Sequence, residues 1–162
     1  MNDMKKIRVL FCCMGNICRS PTAHGVFEAL VERAGLSHLI EVDSAGTHSY
    51  HIGKAPDQRS QRTALSRGFD LSHLRARQAL SADFQAFDYI LAMDRSNYLD
   101  LKAIGPPGLE SRLHLFLDFA PQLRTREVPD PYYGGGDGFE TVFDLVEAAA
   151  EGLLRHIRTE RL

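Results

Sequence analysis

The sequence predicts an α/β fold: three αβα layers around a four-stranded parallel, doubly wound sheet of order 2-1-3-4. Three observations carry that expectation. Short apolar runs alternate with helix-periodic segments along the chain, the pattern of repeated strand–helix–strand units. The first strand run is densely apolar, as in strands buried on both faces. The last segment carries Val142, Leu145, Val146, Ala149, Leu153 and Leu154 in one helical stripe, a face for packing on other elements.

The first strand is expected at Ile7–Cys12, followed by a loop, Cys13 to Arg19. Ser20 then suits a helix N-cap and Pro21 the first helical position, with Gly35 ending that helix. The second strand is expected at Leu39–Ser44, a short helix at Asp57–Ser66 and the third strand at Tyr89–Met93. Asp94 is placed to cap a helix through Lys102, which Gly105-Pro106-Pro107-Gly108 follows as a breaker. Leu113–Leu117 is the fourth strand expected. A loop from Ala120 to Asp137 carries Asp130-Pro131, and the last helix runs from Gly138 to about Ile157. Neither repeat nor low-complexity linker interrupts the chain, so residues 1–162 are expected to form a single domain.

Composition narrows the function. Hydrophobic residues make up 44% and charged residues 25%, with a formal net charge of -2, the profile of an ordinary globular domain. That charge implies no broad basic surface, so nucleic acid is not expected as a partner. No apolar stretch approaches the roughly 20 residues that span a bilayer, and Met1–Arg8 lacks the apolar core of a secretory leader. The 3 cysteines, Cys12, Cys13 and Cys18, fall within one short stretch. Disulfide staples are distributed along a chain, so this clustering points to a reducing, cytoplasmic compartment and to cysteine chemistry.

Chemistry concentrates in Cys13-Met14-Gly15-Asn16-Ile17-Cys18-Arg19-Ser20. The bare cysteine–arginine spacing arises by chance in about one chain in ten of this length. Its setting is far more specific, because the loop leaves a buried strand and enters a helix. Free backbone N–H groups and the positive helix end then face inward, an anion site suited to phosphate. Gly15 keeps the turn tight, and Asn16 tolerates a left-handed backbone. Cys13 is the candidate nucleophile; helix end, loop amides and Arg19 favour its thiolate form. Arg19 offers a planar fork to two phosphate oxygens, and the Ser20 hydroxyl is placed to donate to the sulfur. Asp130, which precedes Pro131 on an extended loop, reads by itself as a turn residue. His48 and His51 lack further ligands at a metal-binding spacing, so they are read as loop histidines, with neither metal nor cofactor expected.

The run Val9-Leu10-Phe11-Cys12-Cys13-Met14-Gly15-Asn16-Ile17-Cys18-Arg19-Ser20-Pro21 resembles the signature of the low-molecular-weight protein tyrosine phosphatases. The resemblance continues through Asp43-Ser44-Ala45-Gly46-Thr47, Ala55-Pro56-Asp57, His73 with Ala76-Arg77-Gln78, Ala92-Met93-Asp94 and Asp130-Pro131-Tyr132-Tyr133. It implies hydrolysis of phosphotyrosine through a phosphocysteine, with Cys13 as nucleophile, Arg19 as phosphate clamp and Asp130 as general acid. It further implies that Asn16, Ser44, His73 and Asp94 support the loop by hydrogen bonding. One extra residue separates His73 from Ala76-Arg77-Gln78. Tyr50, Tyr132 and Tyr133 match aromatic positions beside the family's cleft, with Met14 and Ile17 as apolar contacts. Cys18 is either a packing thiol or, as the resemblance implies, a partner for a reversible disulfide with Cys13, while Cys12 is core. Expected partners are phosphotyrosine proteins or small aryl phosphates. Inorganic phosphate is the expected product and inhibitor, and the chain is expected to be a monomer or to self-associate weakly.

Rivals on the same fold are an arsenate reductase and a protein-arginine phosphatase. The first needs downstream cysteines, and none follows Cys18; the second is similar but carries threonine at the position of Ile17. A non-catalytic phosphotyrosine-binding module would have lost Cys13 or Asp130. A dinucleotide-binding domain would carry three glycines after the first strand, which this chain does not.

Overall fold

The computed structural model describes residues 6–133 and 137–162 and the side chains of all of these except Tyr133. Four parallel strands form the sheet: β1 (Ile7–Cys13), β2 (Ile40–Gly46), β3 (Tyr89–Ala92) and β4 (Leu113–Leu115), in the order β2-β1-β3-β4. This is the predicted topology. Helices α1 (Arg19–Arg33), α2 (Gln58–Ser66), α3 (Asp83–Ala86), α4 (Arg95–Ile104) and α5 (Gly138–Glu160) complete the layers.

Period-two alternation along β1 divides the core. Ile7, Val9, Phe11 and Cys13 share one apolar cluster with α1 and α5; Leu10 and Cys12 share the other with Ile90, Ala92, Leu101 and Phe84. Adjacent cysteines therefore leave the strand on opposite faces, and Cys12 is core, away from the side that Cys13 serves.

Several element ends shift from expectation, β2 running Ile40–Gly46 where Leu39–Ser44 had been expected and β3 stopping at Ala92, and two of the shifts have a plain physical reason. Helix α1 begins at Arg19, with Cys18 at the cap position and no side-chain cap bond. Ser20 does not cap the helix, because its hydroxyl is committed to Cys13 and Asn16. Strand β4 stops at Leu115, where Leu113–Leu117 had been expected, and Phe116–Phe119 tightens into a 3₁₀ turn. The turn carries Phe116 inward, edge-on to Phe11 with ring centroids 5.0 Å apart. A buried apolar run cannot by its pattern distinguish these outcomes. The cap at Asp94 holds, and Asp57, expected inside its helix, is a cap too: each side chain accepts a backbone N–H two or three residues on, at 2.8 Å.

The carboxyl ends of β1, β2 and β3 meet at one edge of the sheet, near the strand-order reversal that forms ligand crevices in such folds. Among the described residues, no helix is long and apolar enough to cross a membrane.

Candidate active site

Loop Cys13–Arg19 turns from β1 into α1 around Asn16, whose φ of 58° is left-handed. Asn16 is buried, and its two amide atoms reach in different directions. Its Oδ1 accepts from the backbone N–H of Arg77 at 3.1 Å, so its Nδ2 is left to donate to Ser20 Oγ at 2.7 Å. Ser20 Oγ, having accepted that bond, lies 3.0 Å from Cys13 Sγ and 3.5 Å from the Ala45 carbonyl, so an ionised sulfur is the nearer and stronger acceptor for its proton. The Ser20 N–H adds a second donor to the sulfur at 3.4 Å. Arg77 is itself held by Asp43 at 3.1 Å and by both oxygens of Asp83, at 3.0 and 3.2 Å.

Strand β2 presses on the loop from below. Thr47 N–H donates to Cys13 O at 2.8 Å and His48 N–H to Met14 O at 3.0 Å. A Cβ on Gly46 would lie 2.8 Å from Met14 O and 3.1 Å from the Gly15 carbonyl carbon, so only glycine fits here.

Arg19 is 2% exposed. Its Nη1 donates to Asp94 Oδ2 at 2.6 Å and to the Val128 carbonyl at 2.9 Å, and its Nη2 lies 3.7 Å from Asp130 Oδ2. Two acceptors on one nitrogen fix the guanidinium plane and leave its other donors to the cleft. Burial works against the Arg19 charge, but Cys13, Asp94 and Asp130 outweigh it and raise the pKa, so the cation is permanent. Asp94 fills both roles open to it, helix cap through Oδ1 and arginine anchor through Oδ2. Asp130 accepts from Tyr132 N–H on Oδ1 at 3.0 Å, which orients the carboxyl on its Asp-Pro turn.

A cleft of about 390 Å³, counted to its open mouth, is lined by Cys13, Met14, Gly15, Ile17, Cys18, Arg19, Tyr50, His51, Asp130 and Tyr132. Tyr50 is 68% exposed and Tyr132 40% exposed, so both stand at the rim. Tyr50 stacks on His48 at 5.2 Å. The side chain of Tyr133 lies outside the described residues. Burial, then Asp57, pushes the Cys18 thiol up to about 12, and burial first of all raises Cys12 well above its ordinary value.

One expected residue is elsewhere. His73 is exposed and lies off the loop. In its segment Leu71 and Leu74 turn inward, and Ser72 N–H bonds Asp70 Oδ1 at 2.9 Å, so position 73 faces out. Ser44 pairs with His24 of α1, with Nδ1 and Oγ 2.9 Å apart and Nε2 3.8 Å from Glu28. Nothing local in the sequence marks His24, because its partner comes from β2. His51, read as a plain loop histidine, lines the cleft. Gly46 and the Val128 carbonyl were missed as well; a backbone acceptor leaves no signal in residue identity.

A cysteine–arginine cup at the carboxyl end of a central parallel strand defines a class, the cysteine-dependent phosphate-ester hydrolases. Residues 8–162 match the family model described as low molecular weight phosphotyrosine protein phosphatase. A low molecular weight protein-tyrosine-phosphatase of Streptomyces coelicolor is 42% identical over 156 residues, covering 94% of this chain and 94% of that protein. The crystal structure of a protein tyrosine phosphatase from Entamoeba histolytica, with Hepes in its active site, superposes with a TM-score of 0.92 at 40% identity, covering 97% of this chain and 100% of the other. A Drosophila arginine phosphatase superposes with a TM-score of 0.87 at 32% identity, covering 95% and 99%. The chain belongs to the low molecular weight phosphotyrosine protein phosphatase family.

Proposed function

We propose that this enzyme hydrolyses phosphotyrosine by transferring the phosphoryl group first to Cys13 and then to water. The supporting observation is that Cys13, Arg19 and Asp130 line one cleft, with the sulfur facing two donors from Ser20.

The phosphate dianion sits on the loop amides and the α1 N-terminus, clamped by Arg19. The Cys13 thiolate attacks phosphorus in line with the ester oxygen. The S–P bond forms as the P–O bond breaks, and Asp130 gives its proton to the departing phenolate. Asp130, now a carboxylate, takes a proton from a water molecule whose oxygen attacks phosphorus. The S–P bond breaks, the thiolate returns to its Ser20 donors, and inorganic phosphate leaves. The steps balance with water alone. Phosphate, as product, competes for the same cup.

An aryl ester suits the walls. Tyr50, His51 and Tyr132 stand at the mouth and Ile17 in the wall, giving a flat ring apolar and aromatic surface. Phosphoarginine lacks that ring, so its hydrolysis should be weak. The exposed rim tyrosines are compatible with protein substrates and with weak self-association of a monomer. The clustered thiols support a cytoplasmic setting.

The test is hydrolysis of an aryl phosphate and of a phosphotyrosine peptide, with chelator present, by wild type and Cys13→Ser. The expected loss is more than about 10³-fold, with a phosphoenzyme trapped on Cys13 in the wild type. Residual activity near wild type would refute the nucleophile assignment. Faster turnover of phosphoarginine than of phosphotyrosine would overturn the substrate assignment.

A further inference from the structure

We propose that Arg59 is a positioning residue for Asp130, a strut that sets the acid-bearing turn against the phosphate loop. The inference rests on Asp130 being the general acid.

Arg59 lies in the first turn of α2. The edge of its guanidinium forks onto the cap residue Asp57, with Nε 3.1 Å from Oδ1 and Nη2 3.0 Å from Oδ2. Asp57 in turn donates its own N–H to the Ile17 carbonyl of the phosphate loop at 2.7 Å. The guanidinium centre of Arg59 lies 5.5 Å from the Tyr132 ring centroid and 4.7 Å from that of Phe139. Those two rings come from either side of residues 134–136 in sequence. The Tyr132 N–H holds Asp130 Oδ1 at 3.0 Å. A continuous path of contacts thus runs Ile17, Asp57, Arg59, Tyr132, Asp130, and none of it passes through the sheet.

A lone surface ion pair would do little. Here one planar group forks onto a carboxylate while its centre lies over two rings, a combination that an ammonium cannot reproduce. Tyr132 follows Asp130 by two residues and its N–H holds that carboxyl, so removing the Arg59 face of the Tyr132 ring, with His51 still on the ring at 6.3 Å, loosens the carboxyl from the leaving oxygen. The consequence falls on substrates whose leaving group needs a proton.

The experiment compares kcat/KM for phenyl phosphate and 4-nitrophenyl phosphate in wild type, Arg59→Met, Arg59→Lys, Asp130→Asn and the Arg59→Met/Asp130→Asn double variant. Arg59→Met is expected to lose about tenfold on phenyl phosphate and clearly less on 4-nitrophenyl phosphate. In the Asp130→Asn background it should add less than about twofold. Arg59→Lys should behave like Arg59→Met. The ratio between substrates is taken within one protein sample, so a partly unfolded variant does not disturb it. Equal losses on both substrates, losses that multiply with Asp130→Asn, or recovery by Arg59→Lys would each overturn the strut. If Asp130→Asn discriminates between the substrates and Arg59→Met does not, this inference alone falls. If Asp130→Asn itself shows no leaving-group dependence, the acid assignment falls and takes the inference with it.

Discussion

The side-chain amide of Asn16 donates to the Ser20 hydroxyl at 2.7 Å, which leaves the hydroxyl proton for the Cys13 sulfur at 3.0 Å or the Ala45 carbonyl at 3.5 Å. Its direction is set one contact further out, where Arg77 N–H occupies Asn16 Oδ1. Ser20 is thereby a prepared donor to the sulfur, whose charge returns when the S–P bond breaks. Ser20→Ala should slow phosphoenzyme breakdown by about 10- to 100-fold, the worth of one hydrogen bond to a charged group. Rapid quenching should then show phosphoenzyme accumulating and KM falling with kcat. A fall in kcat without accumulation would place the role of Ser20 in the first step instead.

Gly46→Ala tests the close approach of β2. The new methyl would meet backbone atoms of Met14 and Gly15, which cannot swing aside as a side chain end can. The loop must lift. Stability should drop by about 1–3 kcal/mol, as in overpacked cores. The kcat/KM should fall by up to about 100-fold through misplaced amides. Urea unfolding and steady-state kinetics check both. Unchanged kinetics would show that the loop tolerates displacement.

Alkylation should distinguish the three thiols. With its pKa near 12, Cys18 presents only about 10⁻⁵ of its population as thiolate at neutral pH, and Cys12 is fully buried with a raised pKa. Cys13 opens to the cleft beside Arg19, which attracts an anionic reagent. Iodoacetate at about pH 7 should therefore place one carboxymethyl group on Cys13, in step with loss of activity, and phosphate should protect. Peptide mass spectrometry reads the site; labelling at Cys18 first would contradict this account.

His114 of β4 supplies a pH dependence of stability. Burial, and then the neighbouring His156, lower its pKa, while Asp118 works the other way. Rings of His114 and His156 both pack on Phe119, at 5.5 and 5.1 Å. The unfolded chain therefore binds the proton more readily, and stability falls as pH drops from about 6.5 toward the lowered folded value. Above about 6.5 the penalty is absent. His114→Phe removes this contribution, so the variant should gain on the wild type between about pH 7.5 and pH 5 in urea unfolding. Parallel losses in the two proteins would exclude it.

The sequence by itself determined the sheet, its parallel strands and the contiguous phosphate loop. Those features are local: strands declare themselves by apolar runs, and Cys13 to Ser20 is one contiguous stretch set between a buried strand and a helix start. Even Asp94 announced its cap, since a cap bonds within three residues. Only the tertiary structure decided which distant groups hold that cup. His24 bonds Ser44 while His73 faces out, the Val128 carbonyl takes Arg19, Gly46 passes beneath Met14, and Phe116 leaves the strand to meet Phe11. Each of these pairs is brought together by the order of strands and the packing of helices, over separations at which residue type carries no record of its partner. Hydrogen bonding is short-ranged in space and indifferent to distance along the chain, so these contacts exist only once the layers have closed.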